Sequence, residues 1–250
     1  MINKKQSDII YGARAIIESL RAGKEIEKIL LQKGLQNDLL KALKLEAGQR
    51  KIPLQQVPVE KLKKFNSRNH QGALAFISPI EFSEIETVID QCYASGKDPF
   101  IVICDRVTDI RNFGAIARTA ECVGADAIVM ASKGNASINY DAVKTSAGAL
   151  HHIPVCRVPN LKTTIQYLKD SGLTIVAATE KTNDMLYEQS LTGPIALVLG
   201  SEEDGISEAY LKLCDQRVRI PLKGEIESLN VSVSAGIILY EILRQKEKAS

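Results

Sequence analysis

Three stretches of this chain place charged, amide and small residues where chemistry could be done, each directly after a run of apolar residues. The first is Asp105-Arg106-Val107-Thr108-Asp109-Ile110-Arg111-Asn112-Phe113-Gly114, continuing through Ala115-Ile116-Ala117-Arg118. Asn112 is suited to cap a following helix, whose N-terminal N–H groups form an anion site. Arg118 lies six residues on, about one and two-thirds turns, so it need not share a face with Asn112. Its apolar neighbours predict that the guanidinium has a phosphate or carboxylate partner. The second stretch is Gly200-Ser201-Glu202-Glu203-Asp204-Gly205. Three acids crowded at the end of a buried strand are costly unless one pairs with a cation or accepts hydrogen bonds from a ligand. Gly200 and Gly205 would let the loop approach that ligand closely. The third runs from Ile220-Pro221 through Glu227-Ser228-Leu229-Asn230-Val231-Ser232, where Ser228 or Asn230 can cap a helix and still present polar groups. Taken singly, the three also read as a capped helix with one structural ion pair, a solvated acidic turn, and a loop before a tightly packed helix.

The elements that must position these stretches follow from hydrophobic pattern. Phe100–Cys104, Ala127–Met130, Leu173–Ala178 and Ile195–Leu199 are short continuous apolar runs, as buried parallel strands require. Helical segments lie between them over Gly114–Val123, Leu161–Leu168 and Ser207–Leu213, and a long helix closes the chain over Val231–Lys246. The expectation is an α/β fold in which helices cover both faces of a parallel sheet, with ligands bound at the strand ends. Ahead of it, residues 1–78 form a smaller α/β module. It has predicted helices at Tyr11–Leu20, Leu35–Ala47 (closed by Gly48) and Val59–Phe65, and strands at Ile29–Leu31, Leu54–Val57 and Ala73–Ile77. Residues 79–97 read as a linker and lead-in helix, and 98–250 as the larger domain.

Composition narrows the function classes. The net charge of +2 conceals 15 Lys and Arg against 7 Asp and Glu in residues 1–78, a local balance of +8. A basic module fused to a mildly acidic one points to a polyanionic partner, although a lysine-rich solvated surface would look the same. The absence of Trp disfavours base stacking as the main contact. The five cysteines form no Cys-x-x-Cys pair and histidine occurs only at positions 70, 151 and 152, which argues against a disulfide framework, a metal centre or a Ser-His-Asp triad. His70 reads as a turn residue beside Gly72. Residues 1–8 lack an apolar leader core and no later run reaches spanning length, so a cytoplasmic protein is expected. Neither a phosphate-binding Gly-x-x-x-x-Gly-Lys-Ser/Thr loop nor a Gly-x-Gly-x-x-Gly after the first strand is present, which sets aside kinase and dehydrogenase readings.

As an ordered set, the three stretches resemble the three motifs of the SpoU family of RNA ribose 2′-O-methyltransferases, within the SPOUT superfamily. Asn112, Arg118, Gly200, Glu202, Ser228 and Asn230 stand where that family has its signature residues. Ile10-Tyr11-Gly12 and His70-Gln71-Gly72 look like its L30e-like, ribosomal-protein-like RNA-binding module. The combination is most similar to bacterial 23S rRNA guanosine 2′-O-methyltransferases. Two positions depart from the family pattern: Ile110, where Pro is common, and Glu203, where Gly is usual. The resemblance implies a deep trefoil knot forming an S-adenosylmethionine pocket with Thr179, Gly200, Ile220 and Leu229 as contacts, and a homodimer whose sites draw on both subunits. It implies catalytic roles for Asn112, Arg118, Glu202, Ser228 and Asn230, with no metal required. Asn112 and Ser228 would orient the nucleophile, and Glu202 would hold Arg118 or Asn230. A tRNA target, an antibiotic-resistance rRNA methyltransferase and a non-catalytic RNA-binding or ribosome-assembly protein remain the alternatives.

Overall fold

The structure, a computed structural model, describes residues 9–65 and 70–249. The leader reading of residues 1–8 lies outside the described residues. The chain divides into two compact units, residues 1–81 and 82–250.

The first unit contains β1 (Ile9–Tyr11), α1 (Ala13–Arg21), β2 (Ile26–Gln32), α2 (Asp38–Gln49), β3 (Leu54–Val57), α3 (Val59–Lys63) and β4 (Ala73–Ile77). Its sheet runs β1-β4-β2-β3, with β4 antiparallel to both neighbours and β2–β3 parallel. Alternation along β2 sends Ile29 and Leu31 into a core with Ile16, Leu20 and Leu43, and Leu30 to the other face with Val57 and Leu62. Tyr11 was expected in a helix but belongs to β1, because it pairs with Leu74 and Gly12 then breaks the strand at φ 87°. Gly48 does not end α2, which is capped at its start by Asn37 Oδ1 (2.8 Å from Leu40 N) and continues to Gln49. His70 is a turn residue: its Nδ1 accepts from Gly72 N at 3.1 Å, and Gln71 and Gly72 are both left-handed.

The second unit contains α4 (Ile85–Ala94), β5 (Phe100–Cys104), α5 (Ile110–Cys122), β6 (Ala127–Ala131), α6 (Tyr140–Thr145), β7 (Val155–Val158), α7 (Leu161–Asp170), β8 (Thr174–Ala178), β9 (Ile195–Leu199), α8 (Glu208–Leu211), β10 (Gln216–Val218) and α9 (Val231–Ala249). All six strands are parallel, in the order β10-β8-β9-β5-β6-β7. β5 and β9 are buried at every residue, which is why they read as unbroken apolar runs. One face packs Ile101, Ile103, Val129 and Val198 against Ile89 of α4 and Ile165 of α7. On the other side α5 packs against both α6 and α9. β7 and β10 were not anticipated. Both are edge strands, and each carries an arginine (Arg157, Arg217) that an edge tolerates and an apolar pattern does not register.

The strand order creates the place for a site. After β5 the chain turns toward β6; after β9 it leaves in the opposite direction, past β8 to β10. Adjacent strands whose continuations diverge open a crevice at their carboxyl ends. The loops there are 105–109 and 200–207, two of the stretches singled out by chemistry.

Candidate active site

α5 begins at Ile110, with Asp109 rather than Asn112 as its cap: the Asp109 carboxylate accepts from Arg111 N (2.7 Å) and Asn112 N (3.1 Å). Those backbone donors, Asn112 first, hold the Asp109 carboxyl below the usual carboxylate range. Ile110 thus occupies the first helical position, where Pro is favoured but not needed. With its capping duty removed, Asn112 is free to project from the first turn. Its Nδ2 donates to Glu202 Oε1 at 2.5 Å, joining the loop after β5 to the loop after β9.

The third stretch meets the same carboxylate. Asn230 Nδ2 donates to Glu202 Oε1 (2.7 Å) and also lies 3.2 Å from Asn112 Oδ1. Asn230 caps α9 through Oδ1, which accepts from Ser232 N at 3.0 Å. Ser232 Oγ is 2.6 Å from Asn230 Oδ1 and 3.4 Å from Asn112 Oδ1. A carboxylate only accepts, so both amides must turn their NH2 groups toward Glu202 and their carbonyls toward Ser232. One hydroxyl proton cannot serve both carbonyls, and the shorter contact goes to Asn230. Asn112 Oδ1 accepts from Asn230 Nδ2, so Asn112 keeps one N–H and one carbonyl lone pair for something outside the cluster.

Two clefts flank these residues. A cavity of about 450 Å³ is lined by 199–205, by Ala178, Glu180 and Lys181, and by Glu227, Ser228, Leu229, Val231 and Ser234. A smaller one of about 90 Å³, lined by Thr179, Ile220 and Leu222 among others, shares Ala178, Glu180, Glu227, Ser228, Leu229 and Ser234 with it. The second cleft, about 280 Å³, is lined by Arg106–Asp109, Asn112, Gly134, Ser201–Asp204 and Val231. Ser201–Asp204 and Val231 border both large clefts, so Glu202 stands on the wall between them. The larger cavity falls in the range of about 300–1,000 Å³ typical of cofactor and small-molecule pockets. The chain after β8, the chain after β9 and the entry to α9 line it, and the end of β10 lines the smaller cavity beside it, an arrangement that fits a nucleoside cofactor such as S-adenosylmethionine. Thr179, Gly200, Ile220 and Leu229 all line this combined space.

The acidic loop is stabilised by a residue that sequence reasoning passed over. Arg106 Nη1 pairs with Asp204 at 3.0 Å, and Nη2 donates to Gly205 O at 3.1 Å. Ser201 and Gly205 exchange backbone hydrogen bonds of 3.1 and 3.0 Å, closing a tight turn with Gly205 at φ 69°. Gly200 serves that turn directly: a Cβ there would lie 2.2–2.5 Å from the Gly205–Ile206 backbone. Gly200→Ala is therefore expected to cost about 2 kcal/mol, a fall in Tm of about 4–8 °C, together with weaker cofactor binding. A thermal melt and a cofactor titration check it. Glu203 is compatible with the turn, since positive φ among the described non-glycine residues occurs only at Lys51, Gln71, Arg106 and Ala147.

Two expected site residues stand apart from the cluster. Ser228 is exposed on the wall of the cavity of about 450 Å³, and Ser232 takes the hydroxyl position beside the two amides. The signal for Ser232 was its spacing, two residues after the capping Asn230. Arg118 is exposed on α5, and among the described residues no acid pairs with it; its apolar sequence neighbours face inward while it faces out. Glu202 accordingly holds Asn112 and Asn230, not Arg118. No group of three His, Cys, Asp or Glu side chains able to hold a metal occurs among the described residues.

Residues 99–240 match the SpoU rRNA methylase family, and residues 9–83 match its RNA 2′-O-ribose methyltransferase substrate-binding domain. A putative TrmH family tRNA/rRNA methyltransferase of Staphylococcus saprophyticus is 37% identical over 243 residues, spanning 95% of this chain and 96% of its own. The crystal structure of an RNA 2′-O-ribose methyltransferase is similar at 29% identity and a TM-score of 0.56, over 95% of this chain and 88% of that one. The fold is also that of the SpoU methyltransferase AviRb from Streptomyces viridochromogenes, solved with AdoMet (23% identity, TM-score 0.60, 97% and 91% coverage). Matched in both of its units, the chain belongs to the SpoU rRNA methylase family and is an S-adenosylmethionine-dependent RNA 2′-O-methyltransferase.

Proposed function

We propose that the chain methylates the ribose 2′-hydroxyl of a guanosine in 23S rRNA, acting as a cytoplasmic homodimer. The observation that carries the reading is the Asn112–Glu202–Asn230–Ser232 cluster on the wall shared by the two clefts. The cofactor occupies the cleft lined by Thr179, Gly200, Ile220 and Leu229, and the target ribose the cleft beside Asn112. S-adenosylmethionine, when bound, supplies an electrophilic methyl group on a sulfonium.

A ribose hydroxyl ionises far above neutral pH, and each pKa unit costs about 1.36 kcal/mol, so its proton must leave during attack or the forming alkoxide must be stabilised. Glu202 fixes both amides, and the remaining N–H and carbonyl lone pair of Asn112 hold the hydroxyl in line while its proton passes to solvent water as the oxygen takes the methyl group. Ser228 orients the sugar from the cofactor side. Arg118 does not act as a base, because a guanidinium keeps its proton; it binds the adjacent phosphate or the nascent oxyanion. Positioning of this kind contributes about 7–11 kcal/mol in the best cases.

Dimerisation is supported by α9, where Val233 and Tyr240, seven residues apart and so on one side of the helix, are 51% and 54% exposed. A deep trefoil knot in the C-terminal part of the second unit is what the family resemblance implies. The 1–78 module is the RNA-binding part. Its +8 balance and the exposed Lys61, Lys63 and Lys64 around α3 suit a phosphate backbone. No helix among the described residues is long and apolar enough to cross a membrane. The five cysteines are free thiols, in keeping with a reducing compartment.

Mapping 2′-O-methyl groups in total RNA from cells with and without the gene tests the proposal. The expected result is loss of one methylated guanosine from 23S rRNA. Loss from a tRNA instead would overturn the target, and loss from no RNA would overturn the transfer itself.

A further inference from the structure

Arg106 lies two residues after the end of β5 and holds φ 57°, a left-handed conformation that side-chain-bearing residues avoid. Something must compensate, and its hydrogen bonds do. Nε lies 3.1 Å from Asp105 Oδ1, Nη2 lies 3.4 Å from Asp105 Oδ2 and 3.1 Å from Gly205 O, and Nη1 lies 3.0 Å from Asp204 Oδ2. A guanidinium has five N–H donors, so four are spent within the protein. Asp105 is only 2% exposed, and its Oδ2 also accepts from Ser207 N at 2.8 Å. The Asp105–Arg106 pair thus grips the 204–207 end of the acidic loop from below and from the side.

Glu202 leaves the same loop two residues before Asp204 and crosses to Asn112. Two bridges therefore join the loops after β5 and β9, Arg106–Asp204 at one end and Asn112–Glu202 at the other, and both line the cleft of about 280 Å³. The loop between them carries a glutamate at 203 and charged neighbours, which would splay without a cation.

We infer that Arg106 is a positioning residue for methyl transfer: by clamping Asp204 and Gly205 it sets where Glu202 presents its carboxylate to Asn112 and Asn230. This deepens the proposed function and rests on it. Arg106 lies on the wall of the proposed ribose cleft, but in this reading it acts on transfer through Glu202 and not by contact with the reacting atoms.

The test compares Arg106→Gly and Asp204→Asn with the wild-type full chain. Glycine accepts the left-handed backbone, which offsets part of the loss of the clamp, so Arg106→Gly should fold but melt below the wild-type temperature because Asp105 loses its cation partner. Single-turnover methyl transfer should slow about ten- to hundredfold, the scale of a misplacement of about 1 Å, while affinity for RNA stays at the wild-type value. Amides of 201–206 should exchange hydrogen faster. Transfer at the wild-type rate in both variants overturns the inference, as does a loss confined to RNA affinity, which would make Arg106 an RNA contact. If Arg106→Gly fails to fold, Asp204→Asn, which leaves the backbone at 106 untouched, must reproduce the slowed transfer, and the inference falls if it does not. Wild-type protein that transfers no methyl group sinks the proposed function, whereas the exchange rates of 201–206 still report on the clamp.

Discussion

Asn112→Ala should abolish most methyl transfer while leaving cofactor affinity near the wild-type value. Asn112 lines the cleft of about 280 Å³ proposed for the ribose and not the cavity of about 450 Å³ proposed for the cofactor, so its removal leaves the walls of the larger cavity in place. Two consequences follow inside the cluster. Glu202 Oε1 loses the shorter of its two amide donors and Asn230 Nδ2 loses its second acceptor, so the carboxylate is free to reorient toward solvent. The target hydroxyl also loses its fixed partner, the spare N–H and carbonyl of Asn112. Removing one preorganised polar group of this kind costs about 10²–10³ in kcat, or about 2.7–4 kcal/mol. The KM for RNA should move little, because the ribose hydroxyl is one contact among many phosphates. Asn112→Asp separates orientation from charge: its carboxylate would face that of Glu202 at hydrogen-bond distance and repel it, so it should be at least as inactive as alanine. Single-turnover kinetics at saturating cofactor, with a separate binding titration, read both effects. Transfer within about threefold of wild type in either variant would remove Asn112 from the mechanism, since loss of a catalytic group falls well outside that margin.

How much of this was legible beforehand depends on whether a residue's role is set by its neighbours in sequence or by the fold. β3, β4, β5 and β9 are matched to the residue, because each is a compact run of strand-forming side chains bounded by breakers. The edge strands β7 and β10 were missed, since they are only four and three residues long and each is interrupted by an arginine, Arg157 or Arg217, that breaks the apolar run. Within the site, Asn112, Glu202 and Asn230 were found by motif, and the structure brings them onto one carboxylate oxygen from three loops. Their partners were harder. Asp109, three residues before Asn112, has the capping spacing, and both Asx residues were eligible; only the register of α5 decides between them. Ser232 had a visible signal in Asn-x-Ser at a helix entry. Arg106 had a weaker one, an Asp-Arg pair at the end of a buried strand in a chain that also crowds three acids elsewhere. Pairing the two required knowing that β5 and β9 are neighbours, a long-range fact that local pattern does not contain.

Arg118→Ala tests the other half of the site. Arg118 lies six residues beyond Asn112 on the same helix, about 9 Å along the axis and about 120° around it. Asn112 points to Glu202; Arg118 points to solvent, without an acid partner among the described residues. Within one protomer the two side chains diverge, and only a second copy docked on the α5–α9 surface would return an arginine to the cluster. Arg118→Ala alone should reduce transfer about 10²–10³-fold, the scale for loss of one group that stabilises transition-state charge, with cofactor binding intact and little change in Tm for an exposed side chain. The decisive measurement mixes Arg118→Ala with Asn112→Ala protein under conditions that exchange subunits. If Arg118 serves its partner, each mixed dimer contains one site with both Asn112 and Arg118 present and one with neither, so activity returns on mixing. If Arg118 serves its own protomer, every site lacks one group and the mixture stays inactive. Recovery would establish a site shared between subunits, and the surface carrying Val233 and Tyr240 would be its interface. Arg118→Lys sharpens the role further: a point charge keeps phosphate attraction but not bidentate geometry, so partial transfer that falls steeply with salt is expected.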